Sequence, residues 1–242
     1  MRYGIFSDIH SNLEALEAVI HAYKKEGIDR YFCLGDVVGY AADPAECAEK
    51  VRILSSVTIA GNHDYACVGL FSLDYFNPLA KEAIIWTNRN ITEKEYNFLA
   101  GLKLTFKNKE FTLAHGTLDR PEEFNYMTGD LAASSSFESL DNNLCFVGHT
   151  HIPGIFVRSH KGEIRYQSKA EAVIKEGNKY IINTGSVGQP RDGDPKAAYC
   201  VYDTKKKTVK VKRVSYDAQA ARKKIVDHGL PASLGERLLI GR

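Results

Sequence analysis

Short polar clusters that contain Asp, Asn or His follow apolar runs at five places in the chain. The first is Asp8-Ile9-His10, in which a carboxylate and an imidazole are two residues apart. Side chains two apart in an extended segment point the same way, so these groups can share one metal ion. His149 and His151 repeat this spacing later in the chain. A single triplet of this kind is a weak signal, because most are ordinary loop residues.

The other clusters each contribute one or two polar groups. Asp36 stands in a Gly-Asp-Val stretch that by itself predicts only a turn or a helix entry. Asn62 offers a neutral oxygen, and the adjacent His63 projects in a different direction. His115 directly follows an apolar run. Five of the eight histidines in the chain fall in these clusters, which favours one shared site over five unrelated loops.

The mixture of donors indicates which metal ions the site would hold. Carboxylate, imidazole and amide groups without thiolates suit Mn²⁺, Fe²⁺, Zn²⁺ or Co²⁺. One ion needs only about four protein ligands, whereas the clusters supply more: Asp8, His10, Asp36, Asn62, His115, His149 and His151. Two divalent ions also carry more positive charge than two aspartates and a bridging hydroxide can neutralise. The residual charge would attract an anionic phosphate.

A centre of this kind predicts hydrolysis of a phosphodiester or phosphomonoester. Two ions about 3.5–4 Å apart can clamp a phosphate and acidify a shared water, and the bridging hydroxide then attacks phosphorus in line. The leaving alkoxide needs a proton. His63 adjoins the ligand Asn62 but holds no metal itself, so it is the expected proton donor. General acids typically contribute roughly 10²–10⁴-fold to a rate.

The first part of the chain reads as strands alternating with helices, which predicts parallel strands joined by right-handed crossovers. The predicted strands are Arg2–Ser7, Tyr31–Leu34 and Val57–Ala60. Ser11 and Glu14 form an expected capping box at the first helix, and Asp43 is the expected N-cap of the second. Ligands that follow parallel strands converge at the carboxyl edge of the sheet, where α/β folds place their sites.

The rest of the chain is mainly β, with helices at its end. β-branched and aromatic residues predict strands at Ile155–Arg158, Ile164–Gln167, Tyr180–Thr184, Ala197–Tyr202 and Val209–Val214. Helices are expected at Asp217–Asp227 and Ser233–Ile240, the second opened by a Ser233–Glu236 capping box. Without repeats or linkers, residues 1–242 are expected to form a single domain. Two sheets packed face to face and flanked by helices would accommodate this order.

Composition excludes several classes of protein. The formal net charge is only +2, without the basic excess of a nucleic-acid groove. The five cysteines are an odd number without a C-x-x-C pair, which favours buried thiols in a reducing compartment. The first strand begins without a signal-peptide pattern, and no apolar run approaches the roughly 18 residues of a membrane span. We therefore expect a cytoplasmic protein without membrane partners.

In this order the clusters resemble the calcineurin-like metallophosphoesterase superfamily, and most closely its compact bacterial and archaeal phosphodiesterase-like group. The superfamily pattern is D-x-H, G-D, G-N-H-D/E, H and G-H-x-H, and every element has a counterpart between residues 8 and 151. Ser7–Leu16, Gly35–Pro44 and Asn183–Arg191 extend the likeness. The resemblance implies an α/β fold, a four-layer αββα sandwich of two mixed β-sheets flanked by helices.

The resemblance also implies a role for each residue of the clusters. Asp8, His10 and His151 would hold the first metal. Asn62, His115 and His149 would hold the second, with Asp36 bridging the two. His63 would be the proton donor or the stabiliser of the transition state.

One departure from the superfamily pattern bears on the substrate. The Ser/Thr protein phosphatases of the superfamily carry the motif G-D-x-x-D-R-G. In this chain, Gly39 and Tyr40 occupy the positions of the second Asp and of the Arg. A protein phosphatase is therefore disfavoured, and the partner of His63 is left unidentified. Arg191, in a Gly- and Pro-rich loop, is a candidate for the missing arginine. Its alternative role is a surface arginine paired with Asp192 or Asp194.

Two other readings of the same fold are weighed against the enzyme. A non-catalytic scaffold would use the pocket or an outer face to bind protein, although such members usually lose ligands that are intact here. A nucleotide sensor would bind without turnover. The expected partner of the enzyme is a small phosphorylated compound, with nucleotides among the candidates. Cyclic nucleotides, dinucleoside polyphosphates, phosphomonoesters and other diesters all stay open, as do the native metal and the oligomeric state.

Overall fold

The computed structural model describes residues 1–168 and 170–242, which form two six-stranded mixed β-sheets. The first sheet, in spatial order, consists of β3 (Val57–Thr58), β2 (Arg30–Cys33), β1 (Arg2–Phe6), β11 (Ala197–Asp203), β12 (Thr208–Val214) and β9 (Glu171–Val173). The second consists of β4 (Thr105–Lys107), β5 (Thr112–Ala114), β6 (Leu144–Val147), β10 (Lys179–Asn183), β7 (Gly154–Arg158) and β8 (Ile164–Gln167).

Helices cover the outer faces of both sheets. They are α1 (Leu13–Lys24), α2 (Pro44–Leu54), α3 (Asn62–Cys67), α4 (Pro78–Arg89), α5 (Glu93–Ala100), α6 (Asp130–Glu138), α7 (Ala218–Asp227) and α8 (Ala232–Ile240). Short 3₁₀ turns occur at Leu73–Tyr75 and Pro121–Glu123. No helix among the described residues is both long enough and apolar enough to cross a membrane.

The core lies in layers because side chains alternate between the two faces of each strand. Ile5 of β1 points between the sheets and packs with residues of the second sheet such as Phe146. Phe6, next along β1, points outward and packs with Leu16 and Tyr23 of α1. Phe137 of α6 packs on the outer face of the second sheet. The predicted α/β fold, a four-layer αββα sandwich of two mixed sheets, is confirmed, whereas the single domain stays a prediction.

The direction of the strands brings the polar clusters together. β1, β2 and β3 are parallel to one another in the first sheet, and β5, β6 and β10 are parallel in the second. Loops that follow parallel strands leave from the same edge of the sheet. The clusters after these strands therefore gather at one edge of the sandwich.

Two predicted capping boxes are wrong because their serines do not cap. Asn12 is the N-cap of α1, and its side chain accepts from the Ala15 N–H at 3.1 Å. The Ser11 hydroxyl instead accepts from the Gly39 N–H at 3.1 Å, a contact between distant loops. At α8 the N-cap is Pro231, without a side-chain cap. The carboxylate of Glu236 pairs with Arg222 instead.

Other differences concern short elements and charges. Asp43 is the N-cap of α2, but its carboxylate makes no capping hydrogen bond. It lies 2.9 Å from the Lys224 ammonium of α7 instead, which ties the two helices together. Strand β9 was not predicted, because three residues at a sheet edge carry little pattern. All five cysteines are buried and free, as their sequence context indicates.

Candidate metal centre

Six polar side chains from four loops meet at the carboxyl edge of the two sheets. Their potential ligand atoms form two groups, each with all its atoms within 4.8 Å of one another. The first group is Asp8, His10, Asp36 and His151, and the second is Asp36, His115 and His149. Asp36 belongs to both groups. The structure thus brings together the Asp and His residues that the sequence singles out, and divides them into two groups that share a carboxylate.

The imidazole nitrogens point toward the carboxylates at the centre. His151 Nε2 lies 3.2 Å from Asp8 Oδ1, and His115 Nε2 lies 3.3 Å from Asp36 Oδ2. His10 Nε2 is 3.5 Å from Asp36 Oδ2 and 3.1 Å from His151 Nε2. Such close convergence of lone pairs is unfavourable unless a proton or a cation lies between them. The arrangement therefore fits a metal ion.

Backbone carbonyls determine which nitrogen of three imidazoles is free to bind metal. The Nδ1 atom of His10 lies 3.2 Å from Val38 O, that of His115 lies 2.7 Å from Leu34 O, and that of His151 lies 2.5 Å from Gln189 O. A carbonyl oxygen only accepts, so each Nδ1 must carry the proton and donate it. The lone pair of each neutral ring then lies on Nε2, as in metal-binding histidines whose other nitrogen is anchored by hydrogen bonding.

Several polar atoms at the centre have no partner within the described part of the chain. Asp8 Oδ1, Asn62 Oδ1 and His115 Nε2 are all buried and form no hydrogen bond there. Buried polar atoms are nearly always paired, so unpaired ones need an explanation. A divalent cation bound by these oxygen and nitrogen atoms would satisfy them, and Asn62 would then join the second group as a ligand. The residues present therefore fit a metal centre.

Burial and mutual charges set the protonation of the ligands. Burial alone would raise the pKa of Asp36, but the neighbouring charges of His115 and His63 outweigh it and hold this pKa well below its ordinary value. Burial lowers the pKa of His149 to about 3. The pKa of His115 rises to about 9 despite burial, because Asp36 is adjacent. Metal ligands must be deprotonated, so a cation would have to displace a proton from His115.

Five of the proposed ligands have a left-handed backbone. Their φ angles are 55° at Asp8, 51° at His10, 50° at Asp36, 66° at His149 and 60° at His151. Non-glycine residues rarely adopt this conformation, and each costs roughly 1–2 kcal/mol. Hydrogen bonds between the loops hold it in place, among them Asp8 N–H to Gly35 O and His10 N–H to Asp36 O, both 3.0 Å. Strain of this kind clusters at functional sites.

His63 lies beside the two groups without belonging to either. Its ring is buried, and its centroid lies 4.5 Å from that of Tyr40, 4.7 Å from that of His10 and 5.0 Å from that of Phe76. Its Nδ1 is buried and has no hydrogen-bond partner within residues 1–168 and 170–242. Burial lowers the pKa of His63 to about 4, so an anionic substrate would be needed to favour its protonated form.

Asp64 fixes the loops around His63 and was not predicted to do so. Its carboxylate accepts from the N–H groups of Val37 at 2.8 Å, Val38 at 3.2 Å and Gly61 at 3.0 Å. These bonds tie the loop that carries Asp36 to the start of α3. The position of Asp64 directly after His63 is the only sequence signal that could have indicated this role.

Arg191 reaches the same edge. Its guanidinium donates to Gln189 Oε1 at 3.0 Å and to the Tyr40 hydroxyl at 3.3 Å, and it lies 5.8 Å above the centre of the Tyr40 ring. Neither of the anticipated surface pairs forms. Asp192 pairs with Arg213 instead, and Asp194 accepts from the Lys196 N–H.

Tyr126 is a further residue at the centre that sequence reasoning missed. Its ring stacks on the imidazole of His149, with centroids 4.0 Å apart and an interplanar angle of 17°. About half of the side chain, 51%, is exposed. An exposed aromatic face beside a proposed ligand is available to a substrate. A lone tyrosine in a loop of irregular structure gave no sign of this position.

Comparison with known proteins agrees with this geometry. Residues 1–207 match the model of the calcineurin-like phosphoesterase superfamily domain. The chain belongs to the calcineurin-like phosphoesterase superfamily. It is 45% identical to the uncharacterized protein MJ0912 of Methanocaldococcus jannaschii over 99% of this chain and 98% of that protein. It is 27% identical to phosphodiesterase YfcE of Escherichia coli K12 over 84% of this chain and 88% of that protein.

Two solved structures share the fold of this chain. A metallophosphoesterase from Sphaerobacter thermophilus superposes with a TM-score of 0.88 and 38% identity, over 100% of this chain and 99% of that one. The hypothetical protein PH1004 from Pyrococcus horikoshii OT3 superposes with a TM-score of 0.78 and 19% identity, over 100% of this chain and 98% of that one. The second likeness, at this identity, concerns the fold alone.

Proposed function

We propose that this chain is a metal-dependent phosphoric ester hydrolase that acts with two divalent ions at the carboxyl edge of its sheets. The observation that carries the proposal is the division of the ligands into two groups that share Asp36. One isolated ion would not require the second group. Membership of a phosphoesterase superfamily and the similarity to phosphodiesterase YfcE support the reaction class.

The proposed ligands follow this division. Asp8, His10 and His151 would hold one ion, and Asn62, His115 and His149 the other, with Asp36 shared between them. The first group coincides with residues whose atoms converge within 4.8 Å. The unpaired Asn62 Oδ1 supports its place in the second group. Mn²⁺, Fe²⁺, Zn²⁺ and Co²⁺ are all compatible with these donors.

Bound ions would supply positive charge for the phosphate and would lower the pKa of a bound water molecule. The side chains of the protein would then orient the ester and supply the proton that the leaving oxygen needs. His63 is free of the ligand groups and adjoins them, so it is the proposed donor of a proton to the leaving oxygen. Arg191, held by Gln189 and Tyr40, would bind phosphate oxygens of the substrate with paired N–H donors, as guanidinium groups do.

The direct test is hydrolysis of bis-p-nitrophenyl phosphate and p-nitrophenyl phosphate by protein reconstituted with Mn²⁺, Fe²⁺, Zn²⁺ or Co²⁺. We expect turnover that depends on added metal and disappears with chelator. Two ions per chain by elemental analysis would support the paired centre. Turnover of neither compound with any ion would contradict the proposal, and would favour the scaffold or the nucleotide sensor that the sequence leaves open.

A further inference from the structure

Two arginines lie near Tyr40, which is beside the metal centre. Arg191 is in the loop after β10, and Arg237 is in the last turn of α8. Tyr40 belongs to the same buried hydrophobic cluster as Leu234 and Leu238, which flank Arg237 on that helix. Burial and the adjacent charge of Arg191 lower the pKa of Arg237. Both arginines are thus placed next to Tyr40, Arg191 by its own contact with the ring and Arg237 by its position between Leu234 and Leu238.

The backbone fixes this arrangement. Gly193, two residues beyond Arg191, donates its N–H to the carbonyl of Gly241 at 3.0 Å. A Cβ on Gly241 would meet the backbone of Asp194 at 2.7 Å. The end of α8 is thus in direct contact with the loop of Arg191. Because these contacts join the backbones, the proximity of the two segments is a property of the fold.

Neither arginine has a carboxylate side chain as a partner in the part of the chain that the structure describes. The acidic residues next to them in sequence are engaged elsewhere: Asp192 with Arg213 and Glu236 with Arg222 at 2.7 Å. Arg237 Nε donates to Arg242 O at 3.1 Å, and its two Nη groups make no hydrogen bond within the described residues. Two neighbouring cations without a carboxylate side chain as partner favour an anion.

The pair of arginines adjoins the metal centre. The backbone N–H of Arg191 donates to the backbone carbonyl of His151, a proposed ligand, at 3.3 Å. An anion held between Arg191 and Arg237 would therefore lie beside the phosphate at the metals.

We propose that Arg191 and Arg237, with the Tyr40 hydroxyl, bind a second phosphate of the substrate while the scissile phosphate lies at the metal centre. The proposal rests on the proposed function and narrows its substrate class to compounds that carry a phosphate beyond the ester that is hydrolysed. Guanidinium groups bind phosphate through paired, charge-assisted hydrogen bonds. A substrate with one phosphate would leave Arg237 without a partner.

The first experiment does not depend on catalysis. Pyrophosphate is titrated calorimetrically into metal-free protein and into the variants Arg237→Gln, Arg237→Lys and Arg222→Ala. We expect about tenfold weaker binding with Arg237→Gln, the loss typical of one hydrogen bond to a charged group. Arg237→Lys should retain part of the affinity. Arg222→Ala, on the same pair of helices but engaged with Glu236, should bind as the wild type does.

The second experiment connects this site to the metal centre. Adenosine 5′-monophosphate and adenosine 3′,5′-bisphosphate are compared as inhibitors of bis-p-nitrophenyl phosphate hydrolysis. We expect the bisphosphate to inhibit the wild type about tenfold more strongly, and Arg237→Gln to remove that difference. Equal pyrophosphate affinity in wild type and Arg237→Gln would overturn the proposal. If the wild type hydrolyses no ester, the proposed function fails, whereas the pyrophosphate titration still decides whether the anion site exists.

Discussion

Asp36 joins the proposed metal ligands to His63 through its two carboxylate oxygens. Oδ1 accepts from the backbone N–H of His63 at 2.9 Å, while Oδ2 lies 3.3 Å from Nε2 of His115. One side chain thus positions the start of α3 and also faces both ligand groups. Metal binding at this single buried carboxylate would therefore be coupled to the placement of His63.

Replacement of Asp36 by Asn should reduce metal binding. The amide removes a negative charge between the two groups and directs either an N–H₂ or a neutral oxygen at them. We expect metal affinity to fall by at least roughly 10–100-fold, the loss seen even for partners that only orient ligands. Elemental analysis after gel filtration measures this. Asp74→Asn, at a side chain that is 88% exposed, is the matched control, and unchanged metal content in Asp36→Asn would contradict the shared role.

Replacement of His63 by Ala should separate catalysis from metal binding. The ring belongs to neither ligand group, so metal content should match the wild type. Ester hydrolysis should fall by roughly 10²–10⁴-fold, the usual contribution of a general acid. Activity and elemental analysis on the same preparation test this, with His21→Ala, at an exposed position of α1, as the control. Loss of metal would show that His63 is a ligand instead.

Gly39 should tolerate no side chain, for two reasons. Its φ is +101°, and a Cβ there would lie 2.4 Å from Nδ1 of His63. In Gly39→Ala, the ring of His63 must move and the left-handed backbone is strained. We expect a lower free energy of unfolding and, in the protein that folds, an activity loss close to that of His63→Ala. Gly27→Ala also has a positive φ but no atom within 4 Å, so it should lose stability alone.

Glu26 should stabilise the fold in a pH-dependent way. Burial alone would raise the pKa of its carboxyl, but hydrogen bonds from Lys212 and Arg2 outweigh this and lower it. A depressed folded pKa gives stability that is present above the unfolded value near 4.5 and is lost as pH falls through the folded one. At pH 7, Glu26→Gln should lower the free energy of unfolding by about 1 kcal/mol or less, because both partners are partly exposed.

Urea denaturation of wild type and Glu26→Gln at a series of pH values measures this effect. The difference between the two proteins should shrink progressively below the unfolded pKa, since Glu26 of the wild type then becomes neutral as well. Glu163→Gln is a suitable control, because its pair with Arg165 is largely exposed. A difference that stays constant down to low pH would mean that Glu26 acts by packing.

The sequence indicates which Asp and His residues converge, because metal chemistry restricts residue types strongly. Asp8 and His151 come from distant parts of the chain, yet each directly follows a strand in a recognisable pattern. Arg237 could not be found this way, because its proximity to Arg191 depends on how α8 packs on Tyr40. The predicted capping role of Ser11 was wrong for a similar reason. Its hydroxyl accepts from the N–H of the distant Gly39 and does not cap the adjacent helix. Contacts between remote loops leave no local periodicity.

The left-handed backbone conformation of the proposed ligands lowers folding stability, although the proposed function requires the side chains at these positions. At His149, for example, glycine would relieve the strained φ of 66° but would delete an imidazole. Natural proteins often hold such trade-offs at their active sites. A library of variants selected for heat resistance alone should therefore accumulate glycine or asparagine at these loops. The most heat-resistant variants would be those that have lost the proposed metal ligands.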